Sequence, residues 1–199
     1  MEQTEVLSNR DLEKYLDKLI STFGLVLRRP DKALRIQHQH RLYAECIQEL
    51  KRIMNIDAHI KLRVFPEKLW PHGKNSGRIN FPKDLPFIAS PEYKKVIFVI
   101  DIKEEYLRNY PQFIVVAVHE LSHLLLFSLK HELRESELAT DLCLFVFGFG
   151  PAIAEAYKGP ARLGYLSERQ FQHALKYVET KHQATQKKEP KRKFWQGWF

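Results

Sequence analysis

Residues 115–123, VVAVHELSH, place two histidines and a glutamate inside the most apolar part of the chain. The apolar residues on both sides of them predict a helix over residues 112–130 that is buried on nearly every side. Burying a polar side chain in such a helix costs free energy unless the side chain has a partner. The stretch therefore predicts a site inside the core, built on this helix.

The spacing of the three polar residues indicates what the site holds. His119 and His123 are four residues apart, so a helix presents both imidazoles on one face, one turn apart. This is the spacing at which two histidines bind a single Zn²⁺. Glu120 follows about 100° further round the helix axis and can reach a zinc-bound water without being a ligand. The pattern H-E-x-x-H thus predicts a zinc site with Glu120 as general base.

A zinc site of this kind needs a third protein ligand and one position left open for water. Glu137 and Asp141 lie four residues apart on a second predicted helix, residues 134–147, and share one face of it. We expect Glu137 to be the third ligand and Asp141 to accept the free N–H of a ligating histidine. The opposite assignment, with Asp141 on the metal and Glu137 outside, stays open.

The stretches HELSH and ELATD together resemble the gluzincin-type zinc peptidases, which pair HExxH with Glu-x-x-x-Asp on the following helix. The resemblance implies that His119, His123 and Glu137 bind zinc, that Glu120 is the general base and that Asp141 is an outer partner of the ligands.

The resemblance covers about residues 95–147. The short spacing is also similar to the small zincin domains of the ImmA/IrrE-like and HtpX-like peptidases. The chain differs from the first group, where a helical DNA-binding domain often accompanies the core, and from the second by its lack of predicted membrane spans. The stretches TDLCLFVFGFG and GYLSE resemble uncharacterised bacterial proteins with a zincin-like core.

Hydrophobic periodicity predicts an α+β fold in which a short mixed sheet packs on the HExxH helix and the ligand helix. The first helices are expected at residues 10–22 and 31–55, and a short strand near Arg78–Phe81. We expect one zincin-like domain over residues 1–186, with the following parts: N-terminal helices in 10–55, a sheet in 58–101, metal-binding helices in 112–147 and a C-terminal helix in 167–181, capped by Ser167.

Substrate binding is expected at the sheet edge next to the zinc site. The short strand near Arg78–Phe81 is the candidate edge, against which an extended peptide would bind as an added strand. Hydrolysis of an amide also needs a donor for the developing oxyanion. The sequence offers four candidates and does not choose among them: Tyr157, Arg162, Tyr165 and His173.

Composition favours a folded protein in a reducing compartment. The chain is 44% hydrophobic and 28% charged, which is ordinary for a globular domain. Cys46 and Cys143 are far apart and form neither a disulfide framework nor a CxxC pair. The polar N-terminus lacks the apolar region of a signal peptide. We expect a cytoplasmic protein.

The net charge of +8 is concentrated in part at the C-terminus. Residues 187–199, KKEPKRKFWQGWF, combine five basic residues with four aromatic ones. This composition suits a partner protein or an anionic membrane surface; binding of nucleic acid is less favoured but stays open.

The sequence as a whole predicts a Zn²⁺-dependent hydrolase that cleaves peptide bonds in a protein or peptide substrate. The alternative is a non-catalytic, zinc-containing regulatory or binding module that recruits a partner or a membrane surface through its tail. Glu120 favours the enzyme, because a purely structural zinc site has no use for an unligated carboxylate beside the metal.

Overall fold

The computed structural model describes residues 7–26, 32–73, 75–82, 85–86, 88, 90–156, 158 and 163–188. Within these ranges the predicted α+β class is confirmed: eight α-helices accompany one small, three-stranded mixed sheet. The elements follow in the order α1 (Asn9–Phe23), α2 (Lys32–Gln39), α3 (Tyr43–Ile53), β1 (His59–Phe65), β2 (Gly77–Asn80), β3 (Ile97–Lys103), α4 (Glu104–Leu107), α5 (Tyr110–Ser128), α6 (Glu137–Val146), α7 (Gly150–Ala156) and α8 (Glu168–Lys188).

The sheet has the order β1–β3–β2, with β1 parallel and β2 antiparallel to β3. Alternate residues of β3, Phe98, Ile100 and Ile102, are fully buried because they lie on the face that α5 covers. Gly77 lies opposite Ile102 in the register of β2. Among the described strands, β2 has a neighbour, β3, on one side only and is therefore an edge strand; α5 also packs against it.

Helix α5 is the centre of the molecule. The Asn109 side chain caps it by accepting the N–H of Gln112 at 3.1 Å, and Pro111 lies in the first turn, where a missing N–H is tolerated. By length and composition α5 meets the requirement for a membrane-spanning helix, as does the bent pair of α6 and α7 taken together. Within the protein, 78% of the apolar window of α5 is buried, as expected for a core helix.

The turn after α5 brings the second predicted helix to the site. Lys130 adopts a positive φ of 50°, and His131 donates its N–H to the C=O of Leu126 at 2.9 Å, which closes the helix end in the manner of a Schellman motif. Ser136 then caps α6 by accepting the N–H of Ala139. Helix α6 therefore begins at Glu137, three residues later than predicted, and packs against α5.

The single helix predicted over residues 31–55 is wrong. The chain forms α2 and α3, separated at Arg41, which has a φ of 59°. The N–H of Leu42 bonds to the C=O of Gln37 at 2.9 Å, so this helix end also closes by a left-handed residue. Neither a glycine nor a proline marks the break, so hydrophobic periodicity alone predicts one continuous helix.

The remaining boundaries differ from prediction by a few residues. Helix α8 continues to Lys188 rather than ending at residue 181, and the Ser167 hydroxyl accepts the N–H of Gln170, as predicted for its cap. Helix α1 packs against α6 and α8 and so ties the two ends of the described chain together. Apart from the backbone of residues 187 and 188, the basic aromatic tail lies outside the described residues.

Candidate metal centre

Three side-chain atoms from α5 and α6 converge on one point. His119 Nε2 lies 3.1 Å from His123 Nε2 and 3.1 Å from Glu137 Oε2, and His123 Nε2 lies 3.3 Å from the same oxygen. Ligands bound tetrahedrally at about 2.0–2.1 Å from Zn²⁺ are roughly 3.3 Å apart. The nearly equilateral triangle therefore has the dimensions and the donor set of a His₂Glu zinc site.

Local structure explains why these three atoms meet. The one-turn spacing of His119 and His123 on α5 orients both rings to one side, with ring centroids 4.8 Å apart. The cap at Ser136 fixes the start of α6 and puts Glu137 in its first turn. Glu137 is 43% exposed, whereas the two histidines are 14% and 16% exposed. The triangle therefore opens on the side of the carboxylate, where a fourth ligand has room.

Asp141 lies outside the triangle and contacts the back of one ligand. Its Oδ1 is 2.8 Å from His119 Nδ1, and its Oδ2 accepts the backbone N–H of Tyr165 at 2.5 Å. Gly164 has a φ of +97°, and a Cβ there would be 2.8 Å from Asp141 Oδ2. The geometry thus favours Glu137 as the third ligand and Asp141 as the residue that fixes the orientation of His119.

Thr140 contacts His123, and the sequence patterns did not predict this contact. Its Oγ1 lies 3.5 Å from His123 Nδ1 and donates to the C=O of Ser136 at 3.1 Å. Thr140 is fully buried, so its hydroxyl has a fixed direction. The only available signal was its position three residues after Glu137, which puts it on the same face of α6.

Glu120 is close to the triangle without belonging to it. Only 6% of the residue is exposed, and its carboxylate accepts the backbone N–H of Ile79 in β2. Burial raises the pKa of Glu120, against the opposing effect of the two nearby histidines. Gly77 makes this approach possible, because a Cβ at that position would be 3.0 Å from Glu120 Oε1 and 2.7 Å from Val116 Cγ1.

The ligand groups shift one another's pKa values. Burial would lower the pKa of His119, but hydrogen bonds to Asp141 and Glu137 outweigh it and raise the pKa to about 10. Burial would raise the pKa of Glu137, but its bonds to His119 and His123 outweigh burial and lower it. Because a histidine must be deprotonated at its ligating nitrogen, a metal that binds here would release a proton.

A cleft of about 560 Å³ opens beside the triangle. One wall is β2 and the other is α5, and the two run side by side in the same direction: Gly77 lies next to Val116, while the rings of Phe81 and Phe127 are 5.1 Å apart. The cleft therefore has a polar end near Arg78 and an apolar end at the two phenylalanines, with the triangle of His119, His123 and Glu137 between them.

The four candidates for the oxyanion donor differ in their position relative to the cleft. Tyr165 lines the cleft, and its ring stacks on that of His119 with centroids 6.0 Å apart. His173 lies on α8, where its Nε2 is 2.8 Å from Glu13 Oε1 of α1, and it does not line the cleft. Tyr157 and Arg162 are outside the described residues.

Comparison with known proteins gives no relative. No protein-family model, no curated protein and no solved structure matches this chain. The likeness to zincin peptidases therefore stays a prediction from the motifs.

Proposed function

We propose that this protein is a zinc-dependent hydrolase of peptide bonds. The observation that carries the proposal is the triangle of His119 Nε2, His123 Nε2 and Glu137 Oε2, with edges of 3.1–3.3 Å, next to the buried and unligated carboxylate of Glu120. Bound at such a triangle, Zn²⁺ supplies a Lewis acid that polarises a carbonyl oxygen and lowers the pKa of water.

Glu120 is suited to move the proton. The hydrogen bond from Ile79 N–H fixes its carboxylate beside the ligands, and burial raises its pKa from the usual glutamate range. A general base is most effective when its pKa lies near the working pH. Glu120 would take a proton from the attacking water and deliver it to the leaving amine.

Strand β2 provides a binding edge for an extended peptide. The N–H of Lys103 bonds to the C=O of Ser76 at 3.2 Å, and in an antiparallel ladder the bonding direction alternates from residue to residue. Gly77 and Ile79 therefore direct their backbone groups away from β3. The N–H of Ile79 is taken by Glu120, which leaves both backbone groups of Gly77 and the C=O of Ile79 for a substrate strand.

The length of the cleft sets the length of peptide that it accommodates. From Val116 to Phe127, α5 advances about 16 Å, and an extended chain rises about 3.3 Å per residue. The cleft thus takes roughly five residues of extended peptide. Tyr165 borders it and is the residue that we propose for contact with the developing oxyanion.

The experiment that tests the function is Glu120→Gln in the full chain. Glutamine keeps an oxygen that accepts the Ile79 N–H but cannot act as a base, so the variant should retain one zinc per chain and the wild-type melting temperature. Cleavage of a peptide library by the zinc-loaded protein should fall at least about 10²-fold. Zinc is measured by elemental analysis and cleavage by mass spectrometry.

Glu179→Gln is the matched control, because Glu179 is exposed on α8 and lines no part of the cleft. It should cleave as the wild type does. If the zinc-loaded wild type cleaves no peptide, or if Glu120→Gln cleaves as fast as wild type, the hydrolase proposal is wrong. A protein that holds zinc without hydrolysis would instead fit the non-catalytic binding module.

A further inference from the structure

A polar network lies on the face of the sheet opposite α5. Its centre is the Asp101 carboxylate on β3, which is fully buried. Arg63 binds it with two hydrogen bonds of 2.7 and 2.8 Å, His72 lies at 2.9 Å and Asn80 at 3.1 Å. Burial would raise the pKa of Asp101, but these hydrogen bonds outweigh it and lower the pKa. Asp101 is therefore an anion that Arg63 already neutralises.

His72 extends this network to Arg78 in the edge strand. Its Nε2 faces Asp101, so we assign the ring proton to Nε2, which leaves Nδ1 as an acceptor for Arg78 Nη1 at 3.2 Å. Trp70 packs edge-on against the His72 ring, with centroids 4.9 Å apart. The guanidinium of Arg78 is thereby held by a chain of fixed groups that begins at a buried carboxylate.

The positive charge of Arg78 has no anionic partner within the part of the chain that the structure describes. Arg78 forms no ion pair among those residues, since its contact there is the neutral nitrogen of His72. Its side chain is exposed, and the residue borders the polar end of the cleft. Among the described residues that line the cleft, it is the only lysine or arginine. A cation fixed in this way is suited to bind an anion on the substrate.

The register of β2 defines where that anion would lie. Arg78 is opposite Asp101 and, by the alternation described above, exchanges its backbone hydrogen bonds with β3. A strand added antiparallel at the free edge would therefore meet Arg78 as a non-hydrogen-bonded pair, in which Cα atoms are only about 4.5 Å apart and the side chains are close. A glutamate or aspartate at this position of the peptide would contact the guanidinium directly.

We propose that the cleft selects peptides carrying a carboxylate at its polar end and that Arg78 is the residue that binds it. The inference rests on the proposed peptide-binding function, which it extends to a substrate class. The carboxylate comes either from an acidic side chain opposite Arg78 or from the C-terminus of a peptide that ends there. Arginine is suited to both, because its planar guanidinium binds carboxylates with two parallel hydrogen bonds.

The test measures binding separately from cleavage. The full chain carrying Glu120→Gln is loaded with zinc and titrated with fluorescent, N-acetylated and C-amidated octapeptides rich in Thr and Val. Each peptide has one Leu for the apolar end and one Glu that is moved along the sequence; a matching set has Gln instead. Fluorescence anisotropy should show that Glu at one or two neighbouring positions binds about tenfold more tightly than Gln.

Variants in the same background assign the preference to Arg78. Arg78→Gln should remove the preference for Glu and leave the affinity for the Gln peptides unchanged. Arg108→Gln is the matched control, because it makes the same charge change at an arginine that is 77% exposed and outside the cleft. It should keep the full preference. A further pair of peptides without Glu, one with a free C-terminus and one amidated, separates the two sources of the carboxylate.

Three results would overturn the inference: no preference for either carboxylate, with Glu peptides binding no better than Gln peptides and a free C-terminus no better than an amidated one; a preference that survives Arg78→Gln; or an equal loss in Arg108→Gln. These results are distinct from a failure of the hydrolase. If the wild type cleaves the Glu and Gln sets equally, and the free and amidated peptides equally, the carboxylate site alone is contradicted. Arg78-dependent binding of Glu peptides without any cleavage contradicts the hydrolase alone.

Discussion

At the scale of single residues, His119 is the most constrained group of the site. Its Nε2 faces His123 and Glu137, while its Nδ1 faces Asp141 at 2.8 Å. Both ring nitrogens are therefore assigned to specific partners, which fixes the tautomer needed for metal binding. The one-turn spacings within HELSH and within ELATD predicted this set, because each pair lies on one face of its own helix.

Glu137 and Asp141 are predicted to differ in their effect on metal affinity. Glu137→Gln removes a ligand charge from the triangle and should abolish zinc binding at stoichiometric metal. Asp141→Asn leaves the triangle intact and weakens only the support of His119, so zinc affinity should fall about 10–100-fold without being lost. Competition with a chromogenic chelator measures both affinities.

Glu135→Gln serves as the control for the charge change, since Glu135 is 73% exposed in the turn before α6. It should bind zinc as the wild type does. If Asp141→Asn were the variant that lost the metal while Glu137→Gln kept it, the two acidic residues would have to exchange roles.

Other residue contacts were beyond the reach of sequence patterns. Asp141 Oδ2 is bound by the N–H of Tyr165, which lies 24 residues later, and Ile79 N–H reaches Glu120 from a different element. Such contacts join segments that are far apart in sequence, and the hydrophobic periodicity within one element cannot predict them. They become visible only when the helices and the sheet are packed together.

At the scale of elements, the close approach of β2 to α5 determines the shape of the cleft. The prediction of a short strand near Arg78–Phe81 came within one residue of β2, because its neighbours are rich in turn-forming residues. The break between α2 and α3 was missed for the opposite reason, since Arg41 enters the left-handed region without a glycine. Turn-forming residues thus predicted the position of β2, whereas the break between α2 and α3 has no such signal in the sequence.

Gly77→Ala is predicted to damage both stability and activity. The added Cβ would lie 2.7 Å from Val116 Cγ1 and 3.0 Å from Glu120 Oε1, so β2 or Glu120 must move. Overpacking of this kind costs about 1–3 kcal/mol of unfolding free energy. Displacement of the base should lower kcat more than it raises KM. Chemical denaturation and peptide cleavage measure the two effects.

Gly73→Ala is the comparison within the same segment. Among the described residues, no atom other than those of Gly73 itself and its chain neighbours lies within 4 Å of a Cβ at Gly73, although its φ of +63° strains an alanine there. It should lose stability without losing kcat. Equal activity of Gly77→Ala and wild type would contradict the proposed role of this close approach.

At the scale of the whole molecule, the core does not depend on the metal. Buried apolar side chains form one cluster from Leu12 in α1 to Val178 in α8, and the site occupies one side of it. A chain of 199 residues buries enough surface to fold without a structural ion. Zinc bound at the proposed site would therefore add stability to a structure that forms without it, unlike the zinc of small zinc-binding domains.

Removal of zinc with a chelator should leave the helical circular dichroism unchanged and lower the melting temperature. At a zinc concentration about 1,000 times Kd, binding stabilises the folded state by roughly 4 kcal/mol, which for a chain of this size corresponds to on the order of 10 °C. Re-addition of zinc should restore the melting temperature. A chelated protein that unfolds outright, or one whose melting temperature does not change, would contradict this account of the site.

The position of Arg78 also bears on whether the protein stays monomeric. An exposed strand edge is a template on which a second copy of the same strand can pair. Strand β2 has only four residues, and Arg78 lies near its middle. If the β2 strands of two copies paired antiparallel about their middle, the two Arg78 side chains would lie close together. Like charges directly opposite each other are unfavourable, so the same side chain discourages self-association and keeps the edge open to a chain of the opposite charge.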